Sequence, residues 1–470
     1  MKHHDEETIA AIATAPGEAG IGIVRMSGNR AIEIAESVFR AADKTRLENQ
    51  PTHTIRYGWI VQPKPASQAD PGPQGRIVDE VLVTVMRAPR TFTREDVVEI
   101  NCHGGIVAMR RVLELLLEAG CRIAEPGEFT RRAFLNGRID LAQAEAVLDV
   151  ISAKTDAALA AGVGQLRGML SRRISVMRKR LLEMLAVLEA NIDFPDEDLE
   201  PADTARLKKE ADSLDAELGS ILARARHGSI MREGVRTVIC GRPNVGKSSL
   251  LNALLQKERS IVTPVAGTTR DVIEDFIDIK GIPIRIMDTA GLLEPRDLVE
   301  RKAVARAREC MRQADLILLV LDGTRPLDSG TRGLFRLAGK AKTIAVINKI
   351  DLARRLRCDD IAALFSSVVE VSARRMKNID KLEDEIASFV LGGNADFREP
   401  LLVSNMRHIR ALRDAQKSIA RLRISLDNGV SAELTAQHIK EALGSFDGLL
   451  GRRFSEDLLD SIFSRFCIGK

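Results

Sequence analysis

One short segment near the middle of the 470-residue chain restricts the possible folds more than any other. It reads Gly241-Arg-Pro-Asn-Val-Gly-Lys-Ser248, follows an apolar run typical of a strand and opens a run typical of a helix. In that setting glycines let backbone amides turn toward phosphate oxygens, a lysine neutralises the β and γ phosphates, and a serine hydroxyl binds magnesium. The segment therefore predicts a phosphate-binding P-loop rather than an ordinary glycine-rich turn.

Three further segments indicate which nucleotide the loop binds. Asp288-Thr-Ala-Gly291 follows a predicted strand, so its acid can hold magnesium through water and its glycine amide can sense the γ phosphate. Asn348-Lys-Ile-Asp351 follows another, and the Asp351 carboxylate can accept two hydrogen bonds from the guanine ring N–H and exocyclic amine. Ser372-Ala-Arg374 after the next strand completes the base pocket. Adenine does not present that donor pair, so we predict GTP rather than ATP.

Leu292 departs from the pattern of many small GTPases. It follows Gly291 directly, at the place where those proteins carry a glutamine that orients the attacking water. Because a leucine cannot orient water, hydrolysis must recruit another group. Spacing alone does not identify that group.

The patterning around these motifs divides the chain into dissimilar parts. Strand-like and helix-like runs alternate through residues 235–390, which predicts a mostly parallel sheet with helices on both faces. Helical periodicity fills residues 140–192 and returns at 406–466, so we expect one helical bundle with the α/β domain inserted into it. The earlier part predicts strands at 9–13, 21–26, 81–86 and 97–102, with helices at 31–40 and Ile106–Glu118.

The composition limits the classes of partner. Lysine and arginine number 70 against 66 acidic residues, so any RNA contact must come from a local patch. One candidate is a basic stripe along one helical face, formed by Arg407, Arg410, Arg413, Lys417 and Arg421. This stripe is either a solvated face or a tRNA contact. The apolar run at 9–15 is too short for a signal segment or a membrane span, so a cytosolic protein is expected. Six isolated cysteines are expected to be reduced thiols.

Several motifs together resemble one family. They are Gly241-Arg-Pro-Asn-Val-Gly-Lys-Ser-Ser249, Ala266-Gly-Thr-Thr-Arg-Asp271, Pro126-Gly-Glu-Phe-Thr130 with Ala133-Phe-Leu-Asn136, and the C-terminal Phe466-Cys-Ile-Gly-Lys470. In combination they resemble the MnmE (TrmE) family of bacterial tRNA modification GTPases. The resemblance covers essentially the whole chain, and the terminal tail is specific to that family rather than to GTPases in general.

The resemblance implies a domain plan and a reaction. The plan is a folate-binding and dimerising α/β domain at 1–122, a discontinuous helical domain at 123–230 and 392–470, and an inserted Ras-like P-loop G domain at 231–391. The reaction adds an aminomethyl or carboxymethylaminomethyl group to C5 of the tRNA wobble uridine. The one-carbon unit comes from 5-formyl- or 5,10-methylene-tetrahydrofolate. The expected partners are tRNA, a second copy of the chain in a homodimer, and the flavoprotein MnmG in a heterotetramer. No association with a membrane is expected.

The resemblance also implies the ions of the G domain and their ligands. Potassium would stimulate hydrolysis, and its ligands would be Asn244, Thr263, Val265 and Thr268. Magnesium would be bound by Ser248 and Thr269. The group that orients water would be Glu300, which considered alone resembles a solvated helix acid. The full set expected around nucleotide and ions is Asn244, Val245, Gly246, Lys247, Ser248, Ser249, Thr263, Pro264, Val265, Ala266, Gly267, Thr268, Thr269, Asp288, Thr289, Ala290, Gly291, Asn348, Lys349, Asp351, Ser372, Ala373 and Arg374.

For folate, the matching positions are Arg25, Glu99, Arg138 and Lys470. A glutamate suits a pterin because the pterin ring N–H and amino group form the same donor pair as guanine, and basic groups suit the glutamyl carboxylates. Taken singly, each of the four is a surface charge or an ion-pair partner. The family tail implies that the Cys467 thiol serves modification rather than GTP hydrolysis, whereas by composition alone it is a small core residue.

Two other readings remain open from the sequence. One is an RNA-binding assembly GTPase of the Era or Der kind, in which the nucleotide switches affinity for ribosomal RNA. Such proteins carry a KH-like module, but the sequence after residue 390 is helical, which does not favour the Gly-x-x-Gly loop that clamps an RNA backbone. The other is a folate-binding one-carbon carrier without catalysis, which would leave Cys467 without a role.

Overall fold

The computed structural model describes residues 7–62, 75–193, 201–257, 275–287, 309–338, 342–392 and 403–470. The chain forms two compact units. The first combines Met1–Leu148 with the C-terminal Leu450–Lys470, and the second is Asp149–Leu449. Among the described residues, no helix has the length and apolar character needed to cross a membrane.

The first unit is built on a seven-stranded sheet in the order β3-β4-β5-β6-β2-β1-β7. Neighbouring strands are antiparallel except for the parallel pair β1 and β7. Helices Ala31–Val38 and Ile106–Glu118 bury an apolar core against one face. The strands are β1 Ile9–Ile12, β2 Ala19–Ser27, β3 Phe39–Ala41, β4 Thr54–Gln62, β5 Arg76–Met86, β6 Val97–Gly104 and β7 Arg122–Ile123.

The structure confirms the helix predicted at Ile106–Glu118 and shortens the one predicted at 31–40. That helix ends at Val38 because the next residues, Phe39–Ala41, pair with β4 as a strand. The sequence patterning did not predict this strand or β4, since the alternation of β4 is interrupted by Gly58. Gly58 lies where a Cβ would come within 2.1 Å of the Arg40 carbonyl oxygen, so the close pairing of the two strands requires it.

The C-terminal segment completes the first unit. Helix Glu456–Phe463 packs against helix Glu128–Leu135 and the start of helix Leu141–Ser152. Phe134, Phe463 and Phe466 lie in the apolar cluster that joins them. The two ends of the chain therefore belong to one compact unit.

The second unit contains a six-stranded sheet in the order β13-β12-β11-β8-β10-β9. All neighbours are parallel except β9 and β10, which confirms the predicted mostly parallel sheet. Alternate residues of β11 enter two separate apolar clusters, one on each face, so the prediction of helices on both faces is also confirmed. The strands are β8 Val235–Cys240, β9 Asp275–Ile279, β10 Ile282–Ile286, β11 Leu316–Asp322, β12 Thr343–Asn348 and β13 Ser367–Glu370, with helices Ala225–Glu233, Lys247–Lys257, Ser329–Ala338, Cys358–Ala362 and Ile379–Leu391.

The remaining helices of this unit join two distant stretches of sequence, as predicted. Helix Met406–Asp427 packs along helix Pro201–Ala223, with Arg423 bound to Asp215 at 2.6 Å between them. The others are Asp156–Leu166, Met169–Asp193 and Ala432–Leu450. The predicted domain boundaries at 122, 230 and 391 stay a prediction.

Candidate functional site

The predicted P-loop lies between β8 and helix Lys247–Lys257. Two glycines are needed for its path. A Cβ on Gly241 would come within 2.4 Å of the Val320 carbonyl oxygen, and one on Gly246, at φ +97°, within 2.2 Å of Asn348 Nδ2. The loop is therefore pressed against the ends of β11 and β12, where no side chain fits.

Lys247 and Ser248 begin the helix that follows the loop. Lys247 Nζ donates to the carbonyl oxygens of Gly241 at 3.2 Å and Arg242 at 2.9 Å, so its ammonium folds back along the loop. Ser248 and Ser249 are exposed. Amides at a helix N-terminus together with an ammonium group form an anion site, and an exposed serine hydroxyl there suits a magnesium ligand.

Asn348 connects the loop to the base-pocket segments. The residue is 3% exposed, its Nδ2 donates to the Val245 carbonyl at 3.0 Å, and its Oδ1 accepts from the Ala373 amide at 3.0 Å. Both polar ends of one buried amide are thus used to hold two loops together. The structure brings these three sequence-predicted segments to the same edge of the sheet.

Lys349 continues this connection and reveals a residue that the sequence motifs missed. Its Nζ donates to the Asn244 carbonyl at 2.6 Å and to Asp322 Oδ2 at 2.7 Å. Burial alone would raise the pKa of Asp322, but hydrogen bonds from Lys349 and Thr324 outweigh it and lower the pKa. Asp322 is therefore an ionised partner that fixes Lys349. The sequence feature that could have identified Asp322 is an acid at the carboxyl end of a fully apolar strand.

Asp351 lies at the exposed rim of the same edge. Its Oδ1 accepts a hydrogen bond from Ser372 Oγ at 2.6 Å, and this bond lowers the pKa of the carboxyl group. The carboxylate is therefore ionised and held in place, as the predicted contact with guanine requires. Arg374 is exposed beside it, and Ala373 is buried.

Part of the predicted set falls outside the described residues. Of the expected ion ligands, Asn244 lies in the described loop and Ser248 in the first turn of the helix that follows it. The predicted residues that lie outside the described ranges are Thr263, Pro264, Val265, Ala266, Gly267, Thr268, Thr269, Asp288, Thr289, Ala290, Gly291 and Glu300.

A second site lies in the first unit, on neighbouring strands. Arg25 of β2 stands opposite Glu99 of β6, and Arg25 Nε donates to Glu99 Oε1 at 2.7 Å. The two side chains are 23% and 21% exposed. The Arg25 guanidinium also lies 5.9 Å from the centre of the Phe129 ring. Two of the four predicted folate residues therefore form one partly buried ion pair.

The C-terminal tail lies against this ion pair. Arg25 Nη1 donates to the Gly469 carbonyl at 3.2 Å, and the Phe129 amide donates to the Lys470 carbonyl at 3.2 Å. Gly469 has φ +93°, and a Cβ there would lie 2.5 Å from the Ile12 carbonyl oxygen. The tail glycine is therefore required by the closeness of the tail to β1.

Cys467 is exposed in this tail. The composition-based expectation of a small core residue is wrong, because the tail runs along the surface and buries Phe466 and Gly469 instead. The other cysteines whose side chains are described are free thiols, as predicted.

Arg138 completes the group through aromatic contacts. Its guanidinium lies 5.0 Å from the centre of the Phe92 ring, and Phe92 packs against the apolar cluster that contains Phe129. Phe129 in turn contacts Arg25 and bonds to Lys470. The four predicted folate residues thus share one region. The two phenylalanines that join them were missed because Phe92 lies in a loop and Phe129 in the first turn of a short helix, where a single aromatic residue gives no periodic pattern.

The fold and the first site define a class: a P-loop protein that binds a guanine nucleotide. Comparison with known proteins gives the family. The family models "GTP-binding protein TrmE N-terminus" and "MnmE helical domain" match residues 8–138 and 141–467. The chain belongs to the MnmE (TrmE) family of tRNA modification GTPases, and it is an enzyme that hydrolyses GTP.

Full-length relatives support this assignment. The chain is 46% identical to the tRNA modification GTPase MnmE of Geobacillus kaustophilus over 467 residues, 99% of each protein. It is 45% identical over 468 residues to that of Desulforamulus reducens, covering 99% of this chain and all of the relative. Among solved structures, an Aquifex aeolicus Era variant bound to GDP and AlF4⁻ is 30% identical, covers 39% of this chain and 65% of its own, and has a TM-score of 0.26.

Proposed function

We propose that this chain is a potassium-stimulated GTPase that modifies C5 of the tRNA wobble uridine in the cytoplasm. It acts as a homodimer with the flavoprotein MnmG in a heterotetramer, and the added group is aminomethyl or carboxymethylaminomethyl. The observation that best supports this proposal is the bond from Arg25, in the ion pair with Glu99, to Gly469 of the C-terminal tail. It puts an exposed thiol and a candidate one-carbon site in the same region of a GTPase.

The folate residues have suitable chemistry for a tetrahydrofolate. Nε and Nη2 of Arg25 both contact Glu99 Oε1, and no described residue donates a hydrogen bond to Glu99 Oε2. Oε2 is therefore available to the N–H groups of a pterin, in the way that Asp351 serves guanine. The exposed guanidinium of Arg138 and the ammonium of Lys470 suit the glutamyl carboxylates. The bound folate, in its 5-formyl or 5,10-methylene form, supplies the one-carbon unit.

The G domain binds magnesium and potassium through the P-loop and the segment that follows it. Ser248 and Thr269 hold magnesium, while Asn244, Thr263, Val265 and Thr268 hold potassium. A potassium ion there supplies one positive charge where negative charge develops, as an arginine finger does. This accounts for Leu292, which cannot orient water, and leaves that role to Glu300.

The experiment is nucleoside analysis of tRNA from cells that lack this protein. We expect the modified wobble uridine to disappear and to return when the chain is expressed again. Unchanged tRNA nucleosides together with accumulating ribosomal precursors would favour the Era-like or Der-like assembly GTPase. Unchanged nucleosides without a ribosomal defect would favour the folate carrier.

A further inference from the structure

A buried group of charged side chains lies next to the C-terminal tail. Arg132 has only 5% of its side chain exposed, yet its Nη2 donates to Glu128 Oε1 at 2.9 Å. Its Nη1 reaches both oxygens of Glu95, at 3.2 and 3.1 Å. Arg132 thus joins helix Glu128–Leu135 to the loop that leads into β6.

Each carboxylate in this group is held from a second side as well. Glu128 accepts from Arg122 Nη2 at 2.6 Å and from the Glu125 amide at 2.8 Å. Glu95 accepts from Ser27 Oγ at 2.7 Å. Arg122 also binds Glu7 at 2.6 Å, so the two arginines hold three carboxylates between them. A network whose groups are all hydrogen-bonded fixes the positions of its members.

The group adjoins the atoms that hold the tail. Glu128 lies between Gly127, whose amide donates to the Cys467 carbonyl at 3.4 Å, and Phe129, whose amide donates to the Lys470 carbonyl at 3.2 Å. Gly127 has φ +69°, and a Cβ there would lie 2.8 Å from the Phe463 carbonyl oxygen. The turn 127–129 therefore contacts the tail closely, and its orientation depends on Glu128.

We propose that Arg132 is a positioning residue for the tail: by binding Glu95 and Glu128 together, it orients the 127–129 turn that holds Cys467 and Lys470. Burying charged groups carries a desolvation cost that an apolar residue would avoid, so a fixed orientation is the benefit that such a network offers. The functional part of this inference rests on the proposed role of Cys467 in modification. The structural part concerns only the tail.

The test compares two substitutions with a matched control in the full-length protein. Arg132→Met removes the charge, and Arg132→Lys keeps it but loses the planar fork that binds two carboxylates at once. The control, Arg30→Met, removes an arginine of the same unit that pairs with Glu33 in solvent. Hydrogen exchange of peptides covering the 127–129 turn, the tail at 466–470 and β6 is measured for all three.

We expect exchange of the turn amides, which donate to the tail carbonyls, to accelerate at least about tenfold in Arg132→Met and by less in Arg132→Lys, with β6 unchanged and the control like the parent. tRNA modification should fall in the same order, while GTP turnover stays at the parental rate. Equal exchange in all proteins would overturn the proposal. Acceleration that extends equally through β6 would also overturn it, because it would show that Arg132 stabilises the whole unit rather than the tail contact. If Cys467→Ser still modifies tRNA, the proposed function of the thiol fails, whereas the exchange result still decides how the tail is held.

Discussion

Asp351 carries the clearest prediction at the scale of single residues. Its ionised carboxylate is held by Ser372 at 2.6 Å. Replacing Asp351 with Asn turns one acceptor into a donor that faces the guanine amine, so we expect GTP affinity to fall by a factor on the order of 100. Xanthosine nucleotides, which present an acceptor there, should gain relative to GTP.

Equilibrium binding of both nucleotides to the parent and to Asp351→Asn measures this effect. Arg375→Gln is a control for the loss of one charge beside the base pocket, because the Arg375 side chain acts on Asp351 through its charge and only its backbone amide bonds to Ser372. Parental GTP affinity in Asp351→Asn would mean that another group recognises the base.

Glu128 gives a prediction about pH. Burial alone would raise its pKa, but hydrogen bonds from Arg122, the Glu125 amide and Arg132 lower it below the usual value of 4.5. A lowered folded-state pKa stabilises the protein above the unfolded value, and that stability is lost as the pH falls through the folded pKa. Glu128→Gln should cost about 3 kcal/mol near neutral pH and less in acid.

The sole tryptophan, Trp59 in β4, makes this measurable. Denaturant unfolding followed by its fluorescence reports on the first unit, between about pH 7 and about pH 3.5. The difference between the midpoints of the parent and Glu128→Gln should shrink as the pH falls. A difference independent of pH would show that the charge of Glu128 is not what stabilises the unit.

At the scale of elements, the P-loop predicts the dependence on monovalent ions. Asn244 has φ +61° and is exposed at the turn where a potassium ligand is expected. Because Leu292 cannot orient water, GTP turnover should rise at least about tenfold in potassium compared with sodium at equal ionic strength. Asn244→Ala should lose most of that difference while still binding GTP. Equal turnover in the two salts would exclude the proposed mechanism.

The structure removes one residue from the basic stripe predicted on helix Met406–Asp427. Arg407 donates to the carbonyls of Gly448 at 3.0 Å and Leu449 at 3.1 Å, so it caps the end of a neighbouring helix. Arg410, Arg413 and Lys417 are exposed, although Lys417 also pairs with Asp414. The remaining stripe can still follow a phosphate backbone.

Replacing Arg410, Arg413 and Lys417 together with Gln should weaken tRNA binding and reduce its salt dependence by up to about three units of slope. GTP turnover should not change, because the stripe lies outside the nucleotide site. A control with the same loss of charge replaces the exposed Lys209, Arg357 and Lys381. If both triple variants bind tRNA equally well, the stripe is only a solvated face.

Elements with strong local signals were predictable from the sequence, and those defined by pairing were not. The P-loop strand Val235–Cys240 and helix Ile106–Glu118 match their apolar patterns. β3 is three residues long and β9 begins with Asp275, so neither carries enough periodicity to identify it. Both are strands because a partner, β4 or β10, supplies the hydrogen bonds.

At the scale of the whole molecule, the family resemblance named the residues of the second site, but the sequence could not show why they meet. Arg25 and Gly469 are separated by 444 positions, and their contact depends on the tail returning to the N-terminal sheet. The Arg132 network likewise joins residues from three separate segments. Such contacts follow from tertiary packing, which local patterning does not encode.

We infer that one chain carries two separable chemistries, GTP hydrolysis at the P-loop and a modification step that needs the tail thiol. The most direct test is the wobble-uridine content of tRNA in cells that lack the protein and express Cys467→Ser, with GTP turnover of the purified variant measured alongside. Ile468→Ser, at the neighbouring exposed position, is the control for disturbance of the tail. We predict parental GTP turnover in both variants, restored modification with Ile468→Ser and none with Cys467→Ser. Full restoration by Cys467→Ser would contradict the claim.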